Sequence, residues 1–312
     1  MERVSARLLK GVEWKTRYYR ALSHYFSLRW NATGGEEMHR IIQRFEVPAD
    51  PDEEMGPASP GDPPQYGLLD RGPRARLRYD VLYGEEHWLR LNDIGSAIDN
   101  LMWHIQSETF RHSRDYLLIH SGAATTPSGK AVLLPAARES GKTTLTAGLV
   151  RAGFGYLSDE AAAIDPVTRR VYPFAKPLTI KEGSFPMFPE LRPCGNGYEA
   201  GYRWFVQPDE IHPGAVAGPS PIRFVVAPRY RKGATTKLTQ ITRAQGLVEL
   251  AENALNFHIY QARALTLLAE ALRKASCYRM VVGDLDEAVN LIVELTGKRP
   301  RRSGKAAGQP AP

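Results

Sequence analysis

The residues from Ala136 to Thr144 have the types and spacing of a loop that binds phosphate. The segment consists of Ala136, Ala137, Arg138, Glu139, Ser140, Gly141, Lys142, Thr143 and Thr144, between an apolar run at 131–135 and a helix-forming run at 145–150. In such a strand–loop–helix unit, the backbone N–H groups and the helix N-terminus form an anion site. The lysine contacts the terminal phosphates and the first hydroxyl takes Mg²⁺. We therefore predict that Lys142 binds phosphate and that Thr143 binds magnesium.

Two features depart from the usual phosphate loop. The motif normally begins with glycine, and this chain has Ala136 there. A Cβ is tolerated at that position only where the local φ is negative. The second feature is Glu139, since a carboxylate within about 5 Å of a phosphate costs on the order of 1 kcal/mol or more unless Arg138 neutralises it. These two residues weaken the prediction without removing it.

Two adjacent acids follow the loop at a short distance. Asp159 lies 17 residues after Lys142 and is followed by Glu160. Gly153 is placed to end the intervening helix, which leaves room for one return strand. We expect both acids to emerge beside the loop, provided that the strand has ended there, because successive strand residues point to opposite faces. A solvated strand end is the alternative interpretation.

Three segments together resemble the HPr kinase/phosphorylase superfamily. The loop at 136–144 is one, and the helix–Gly–strand–acid segment at 149–160 is the second, with Glu160 in place of the family's second Asp. The third is the apolar stretch at 116–124, in which His120 matches the family's histidine. The resemblance covers roughly 117–181 and is greatest to HPr-kinase-related proteins of bacterial peptide-modification gene clusters. The C-terminal signature of the metabolic enzyme has no convincing copy here.

The resemblance implies a fold and an activity. The fold is α/β, a P-loop kinase of the HPr-kinase/PEP-carboxykinase-like type with a mixed central sheet. The activity is transfer of the γ-phosphate of ATP, with Mg²⁺, to a Ser or Thr hydroxyl of a small protein or peptide, such as a peptide-carrier protein. The metabolic relatives assemble as oligomers, so a homo-oligomer is open for this chain.

Chemistry and resemblance together suggest a role for each residue. Phosphoryl transfer depends mainly on positioning and charge neutralisation. We expect Asp159 to take the proton of the acceptor hydroxyl, and Asp159 and Glu160 to join Thr143 around Mg²⁺. His120 either polarises a phosphate or assists proton transfer, or it is a hydrogen-bonded structural histidine.

Two further cations are candidates for phosphate binding. Lys181 follows a Pro-punctuated pair of short strands, and similar segments occur in the related kinases. Arg229 ends a buried-type strand at 224–230, where a planar guanidinium suits γ-phosphate charge. For each, an ordinary surface cation is the favoured interpretation.

Two other functions stay open. A regulator or scaffold that binds nucleotide without catalysis is favoured by Ala136 and Glu139. A kinase acting on a small-molecule hydroxyl would be indicated by a narrow pocket near Asp159.

The composition excludes several classes of protein. The chain has 312 residues, 43% hydrophobic and 24% charged, which is typical of globular proteins. The net charge is +7, but residues 298–312 contribute +5 and residues 1–20 contribute +4, so the remainder carries −2. Because a nucleic-acid site normally has its basic residues on the fold itself, we expect no nucleic acid partner. No apolar run reaches the roughly 20 residues of a membrane span, no signal peptide is recognisable, and two cysteines make no disulfide scaffold. We therefore expect a cytoplasmic protein without a membrane partner.

Three regions are predicted along the chain. Residues 1–115 form a mixed α/β region packed on the core, 116–297 the HPr-kinase-like P-loop core, and 298–312 a basic disordered tail. In the first region we predict an amphipathic helix at 4–22, a strand at 25–30, a helix at 36–45, a flexible Pro-rich loop at 47–64, two strands at 75–91 and a helix capped by Asp93. In the core, a capping box at Thr242 begins a helix, and an apolar strand and a last helix follow from Cys277 onwards.

Overall fold

The fold is α/β with mixed sheets, as the sequence predicts. The computed structural model describes residues 2–3, 9–31, 33–48, 64–137, 139–192, 199–200 and 203–297. The predicted tail at 298–312 and most of the predicted loop at 47–64 lie outside the described residues. So does Arg138 of the phosphate loop.

The N-terminal part of the chain forms its own sheet. Among the described residues its strands are β1 (Glu2–Arg3), β2 (Lys15–Ala21), β3 (His24–Trp30), β4 (Glu46–Val47), β5 (Gln65–Asp70), β6 (Tyr79–Tyr83) and β7 (Glu86–Leu91), in the order β1-β7-β6-β5-β3-β2-β4. Helices α1 (Thr33–Ile42) and α2 (Ile94–His112) pack on it, and a 3₁₀ turn at Gln43–Phe45 follows α1. Asp93 accepts bonds from the N–H groups of Gly95 and Ser96, which confirms the predicted cap of α2.

The second, larger sheet carries the phosphate loop. Its strands are β8 (Leu117–Thr125), β9 (Ala131–Pro135), β10 (Gly155–Ser158), β11 (Ala161–Ile164), β12 (Arg170–Tyr172), β16 (Ser220–Tyr230), β17 (Lys237–Ile241) and β18 (Ser276–Val282). β8 pairs antiparallel with β9, β10 and β11, whereas β9, β16 and β18 run parallel. The sheet is therefore mixed, as predicted.

Helices cover both faces of this second sheet. One face packs against α3 (Lys142–Arg151) and α8 (Leu285–Leu295), and the other against α5 (Arg243–Glu252) and α7 (Ala262–Ala271). A small sheet of β13 (Leu178–Lys181), β14 (Glu199–Ala200) and β15 (Arg203–Val206) joins α3's side, with 3₁₀ turns at Glu182–Met187 and Pro189–Leu191. Two short helices, α4 (Pro208–Ile211) and α6 (Phe257–Tyr260), complete the described elements.

The carboxyl ends of the parallel strands position the site. β9 leads into the phosphate loop, β16 ends at Tyr230 and β18 ends at Val282, and these two terminal residues are partners in the register. Ligands of open α/β sheets bind outside the carboxyl ends of parallel strands. We therefore expect the ligand site at this edge of the sheet.

Most predicted elements are present, but the predicted helix at 4–22 is wrong over Lys15–Ala21, and its residues 4–8 lie outside the described residues. Within 4–22, the described residues contain strand β2, whose inward positions Tyr19 and Ala21 are fully buried. Cross-strand pairing with β3 decides this, because aromatic residues at alternate positions pack well on a pleated surface. The spacing of the same apolar residues also fits one face of a helix, which is why the sequence predicts one. The capping box at Thr242 and the last strand and helix are confirmed.

Candidate functional site

The phosphate loop connects β9 to α3 in a conformation set by two positive-φ residues. Gly141 has φ +86° immediately before the helix, and Glu139 has φ +63°. Ala136 is not among the described non-glycine residues with positive φ, so its Cβ is tolerated as the sequence argument required. None of the described side chains caps the N-terminus of α3. The first N–H groups of the helix have no partner within it and face the loop.

Lys142 crosses the inside of this loop. Its side chain is buried, and Nζ donates to the carbonyl oxygens of Ala136 (2.8 Å) and Ala137 (2.7 Å). The hydroxyl of Ser140 donates to the same Ala137 oxygen at 2.8 Å. These bonds fold the loop around the ammonium group, which places a positive charge inside the loop.

The first acid lies beside the loop as the spacing predicted. Thr143 Oγ1 donates to Asp159 Oδ2 at 3.0 Å. β10 ends at Ser158, whose Oγ accepts bonds from the N–H groups of Glu160 and Ala161. The strand has thus ended before the acids, and both line the same cavity.

Asp159 is held by two residues that the sequence analysis missed. Lys176 Nζ lies 2.9 Å from Asp159 Oδ1, and the two side chains are 3% and 1% exposed. Tyr156 donates its hydroxyl to the same oxygen at 2.9 Å. Burial and the nearby Asp159 charge raise the pKa of Tyr156 well above its ordinary value, so it stays protonated and donates. The sequence places Lys176 in a Pro-flanked segment, but nothing in that segment marks this lysine as buried.

His120 pairs with the second acid. Its Nδ1 lies 3.1 Å from the Glu160 carbonyl oxygen and 3.5 Å from Glu160 Oε1. Both side chains are partly exposed to the cavity, at 13% and 26%. A neutral histidine donates through one ring nitrogen and accepts through the other, so the carbonyl contact fixes Nδ1 as the donor. The histidine and Glu160 form an accessible pair that can carry a proton.

The two further cations have different positions. Lys181 lines the cavity, and its Nζ lies 3.6 Å from Glu139 Oε1 with both side chains exposed. Arg229 is exposed but does not line the cavity, whereas Pro228 and Tyr230 on either side of it do. Because side chains alternate along a strand, Arg229 points away from the edge that carries the site. The prediction that Arg229 contacts phosphate is therefore not supported by its position.

The cavity is large and includes both parts of the chain. Its volume is about 940 Å³. Helix α2 of the N-terminal part contributes Asp99, Met102, Trp103 and Gln106 to the cavity wall. Phe45 and Phe110 pack their rings on Phe174 at 5.6 Å, which anchors the N-terminal sheet against the second one. The sequence analysis does not predict this part of the wall, because α2 and the loop are separate segments of the chain and no sequence pattern links them.

No family model matches the chain, and no curated protein matches its sequence. Among the described residues, no helix combines the length and apolar character needed to span a membrane. Within the same residues, no group of three or more His, Cys, Asp or Glu side chains is arranged to hold a metal ion.

Proposed function

We propose that the chain is an ATP- and Mg²⁺-dependent P-loop kinase of the HPr-kinase-like type, which phosphorylates a Ser or Thr hydroxyl of a small protein or peptide. The observation that carries the proposal is the 3.0 Å bond between Thr143 and Asp159. It joins the hydroxyl next to the loop lysine with an acid 16 residues further on. Bringing these two groups together is what a magnesium–nucleotide site requires.

The residues of the loop suit a nucleotide triphosphate. An uncapped helix N-terminus, a buried ammonium group and a cavity of about 940 Å³ lie together. Magnesium is usually held by one or two carboxylates together with phosphate oxygens and waters, so a three-ligand protein cluster is not needed. Thr143 and Asp159 would hold the ion, which would neutralise charge on the phosphates.

The contacts favour a division of roles different from the sequence prediction. Both oxygens of Asp159 are engaged, by Thr143 on one side and by Lys176 and Tyr156 on the other. A carboxylate held in this way orients its neighbours better than it accepts a proton. Glu160, which is more exposed and paired with His120, is the better base.

The proposed reaction is a direct transfer of the γ-phosphoryl group to the acceptor hydroxyl. The acceptor oxygen forms a bond to the γ-phosphorus as the bond to the ADP oxygen breaks, and ADP leaves with the electron pair. The hydroxyl proton passes to the Glu160 carboxylate, with His120 holding that side chain. Lys142 binds the phosphate oxygens throughout.

The shape of the cavity favours an extended acceptor. A volume of about 940 Å³ lies at the upper end of the range for small-molecule sites, about 300–1,000 Å³, so a nucleotide leaves room for a second reactant. Beyond Glu160 the wall carries Met102, the half-exposed Trp103, and the Asp99–Arg203 ion pair at 2.6 Å. Apolar and charged groups side by side suit a peptide better than a single small hydroxyl compound.

Calorimetry of MgATP with wild type, Lys142→Ala and Lys130→Ala tests the proposal, with turnover of [γ-³²P]ATP measured on the same samples. Lys130 is an exposed lysine at the opposite end of β9, which makes it a matched control. We expect binding and label transfer in wild type and the control, and loss of both in Lys142→Ala. Equal binding by all three proteins would refute the phosphate-loop interpretation.

The alternative is a nucleotide-binding scaffold. The buried Asp159–Lys176 pair favours it, because such pairs often stabilise structure without taking part in chemistry. A scaffold would bind MgATP without turnover. Glu160→Gln separates the two functions, since it should abolish turnover by a kinase while preserving binding, and should leave a scaffold unchanged.

A further inference from the structure

Tyr230 occupies an unusual place beside the phosphate loop. It is the last residue of β16, it lines the cavity, and it is 47% exposed. Its Cβ lies 3.9 Å from the position that a Cβ on Gly141 would take, so the tyrosine lies close to the last residue of the loop before α3. A large aromatic ring that remains half-exposed at such a site has an open surface for a ligand.

The tyrosine lies on the opposite side of the loop from the reacting groups. β9, which carries the loop, pairs with β8 on one side and β16 on the other. His120 belongs to β8, and Asp159 follows β10, which also pairs with β8. The cavity therefore extends past the loop in two directions, one toward the acids and one toward Tyr230.

The side beyond the loop has apolar groups with two acids beside them. Pro228, Val282 and Leu285 line the cavity there, at the carboxyl ends of β16 and β18 and the start of α8, together with Asp284 and Asp286. Gly283 completes this wall, and a Cβ on it would overlap the carbonyl oxygen of Ala234. The backbone at this point is thus closely packed and offers a rigid surface.

We propose that Tyr230 forms the base-binding subsite, on which the purine ring of the nucleotide stacks. The inference rests on the proposed function, because the phosphates must lie in the loop with the γ-phosphate toward the acids. The base is at the other end of the nucleotide and therefore extends toward Tyr230. Stacking is tolerant of base identity, since every base has an aromatic face. ATP and GTP should consequently bind with similar affinity.

The test compares a ligand that has a base with one that lacks it. MgATP and magnesium tripolyphosphate are titrated by calorimetry into wild type, Tyr230→Ala and Tyr230→Phe. Tyr230→Ala should weaken MgATP binding by between about five- and a hundredfold, the usual range for one stacked base, and leave tripolyphosphate binding unchanged. Tyr230→Phe should bind both ligands as wild type does. Arg229→Ala, on the outward face of the same strand, is the matched control and should change neither.

The outcomes separate the two proposals. Retained tripolyphosphate binding in Tyr230→Ala also shows that the loop is folded. If Tyr230→Ala loses both ligands equally, or neither, the subsite is refuted while the nucleotide function stands. If wild type binds neither ligand, the proposed function fails and the subsite fails with it.

Discussion

Replacing Lys176 with methionine should destabilise the protein far more than replacing an exposed lysine. The ammonium group lies 2.9 Å from Asp159 Oδ1, with the two side chains 3% and 1% exposed. Removing one partner of a buried pair leaves the other charge uncompensated, which costs about 3–5 kcal/mol. The hydroxyls of Tyr156 and Thr143 still donate to Asp159, so we expect the lower end, about 3 kcal/mol.

The second partner provides an internal check. Asp159→Asn alone leaves a buried ammonium group and should cost a similar amount. The double variant Lys176→Met/Asp159→Asn removes both charges and should recover most of the loss, because a buried pair replaced as a whole is often nearly neutral. The coupling energy between the two sites should therefore exceed about 1 kcal/mol.

Urea unfolding followed by circular dichroism measures these differences, with thermal melting as a second readout. For a chain of this length, a loss of about 3 kcal/mol corresponds to a fall of about 4–5 °C in Tm. Lys181→Met is the control, because Lys181 is 57% exposed and pairs with an exposed acid, and it should cost less than about 0.5 kcal/mol. If the two lysine variants lower the free energy of unfolding equally, or if the Lys176 and Asp159 changes are additive, Lys176 and Asp159 do not interact as a desolvated pair.

Three further predictions concern other parts of the molecule. Burial, with the nearby His112 and His104, lowers the pKa of His24 to about 3 from an ordinary 6.5. The unfolded chain therefore binds more protons, so this stability is fully present above pH 6.5 and declines toward pH 3; between pH 8 and pH 5 the loss is about 2 kcal/mol. Urea midpoints at the two pH values should show it, and His24→Gln should reduce the difference; an unchanged difference contradicts the assignment. Glu139→Gly relieves a φ of +63° and should raise the free energy of unfolding by about 1 kcal/mol, while Glu139→Gln, which removes only the charge, should not. Both should tighten MgATP binding by up to about fivefold in calorimetry, and weaker binding by the Gln variant would count against a phosphate near this residue. Gly148→Ala would place a Cβ 2.8 Å from Val289 Cγ2. It should lower the free energy of unfolding, measured in urea, by about 1–3 kcal/mol, although alanine has the better helix propensity. If adding Val289→Ala to this variant restores no stability, close α3–α8 packing is not the cause of the loss.

Local signals predicted much of the structure. The strand–loop–helix unit around Lys142 combines an apolar run, a glycine and a helix-forming run, and each acts through neighbours within a few residues. The caps at Asp93 and Thr242 are confirmed for the same reason, since a capping side chain bonds to a backbone only two or three residues away. The spacing from Lys142 to Asp159 spans one helix and one strand, so the return of Asp159 to the loop could also be predicted.

Long-range contacts explain what was missed. The spacing of the apolar residues in β2 also fits one face of a helix, and only pairing with β3 decides that they form a strand. The predicted strand end at Arg229 is present, but a short buried run does not show which of its residues face the cavity, and Arg229 does not line it. Its neighbour Tyr230, which the sequence motifs do not identify, lines the cavity instead.

The sequence by itself predicted the strand–loop–helix unit around Lys142, the closeness of Asp159 to Thr143 and the alternation of helices and strands, because each depends on residues close together in the chain. Only the tertiary structure decided that Lys176 is buried against Asp159, that Glu160 is the more accessible acid, and that α2 forms part of the cavity wall. The physical reason is desolvation: a charged side chain has the same chemistry in every sequence, but its effect depends on which distant segments exclude water from it.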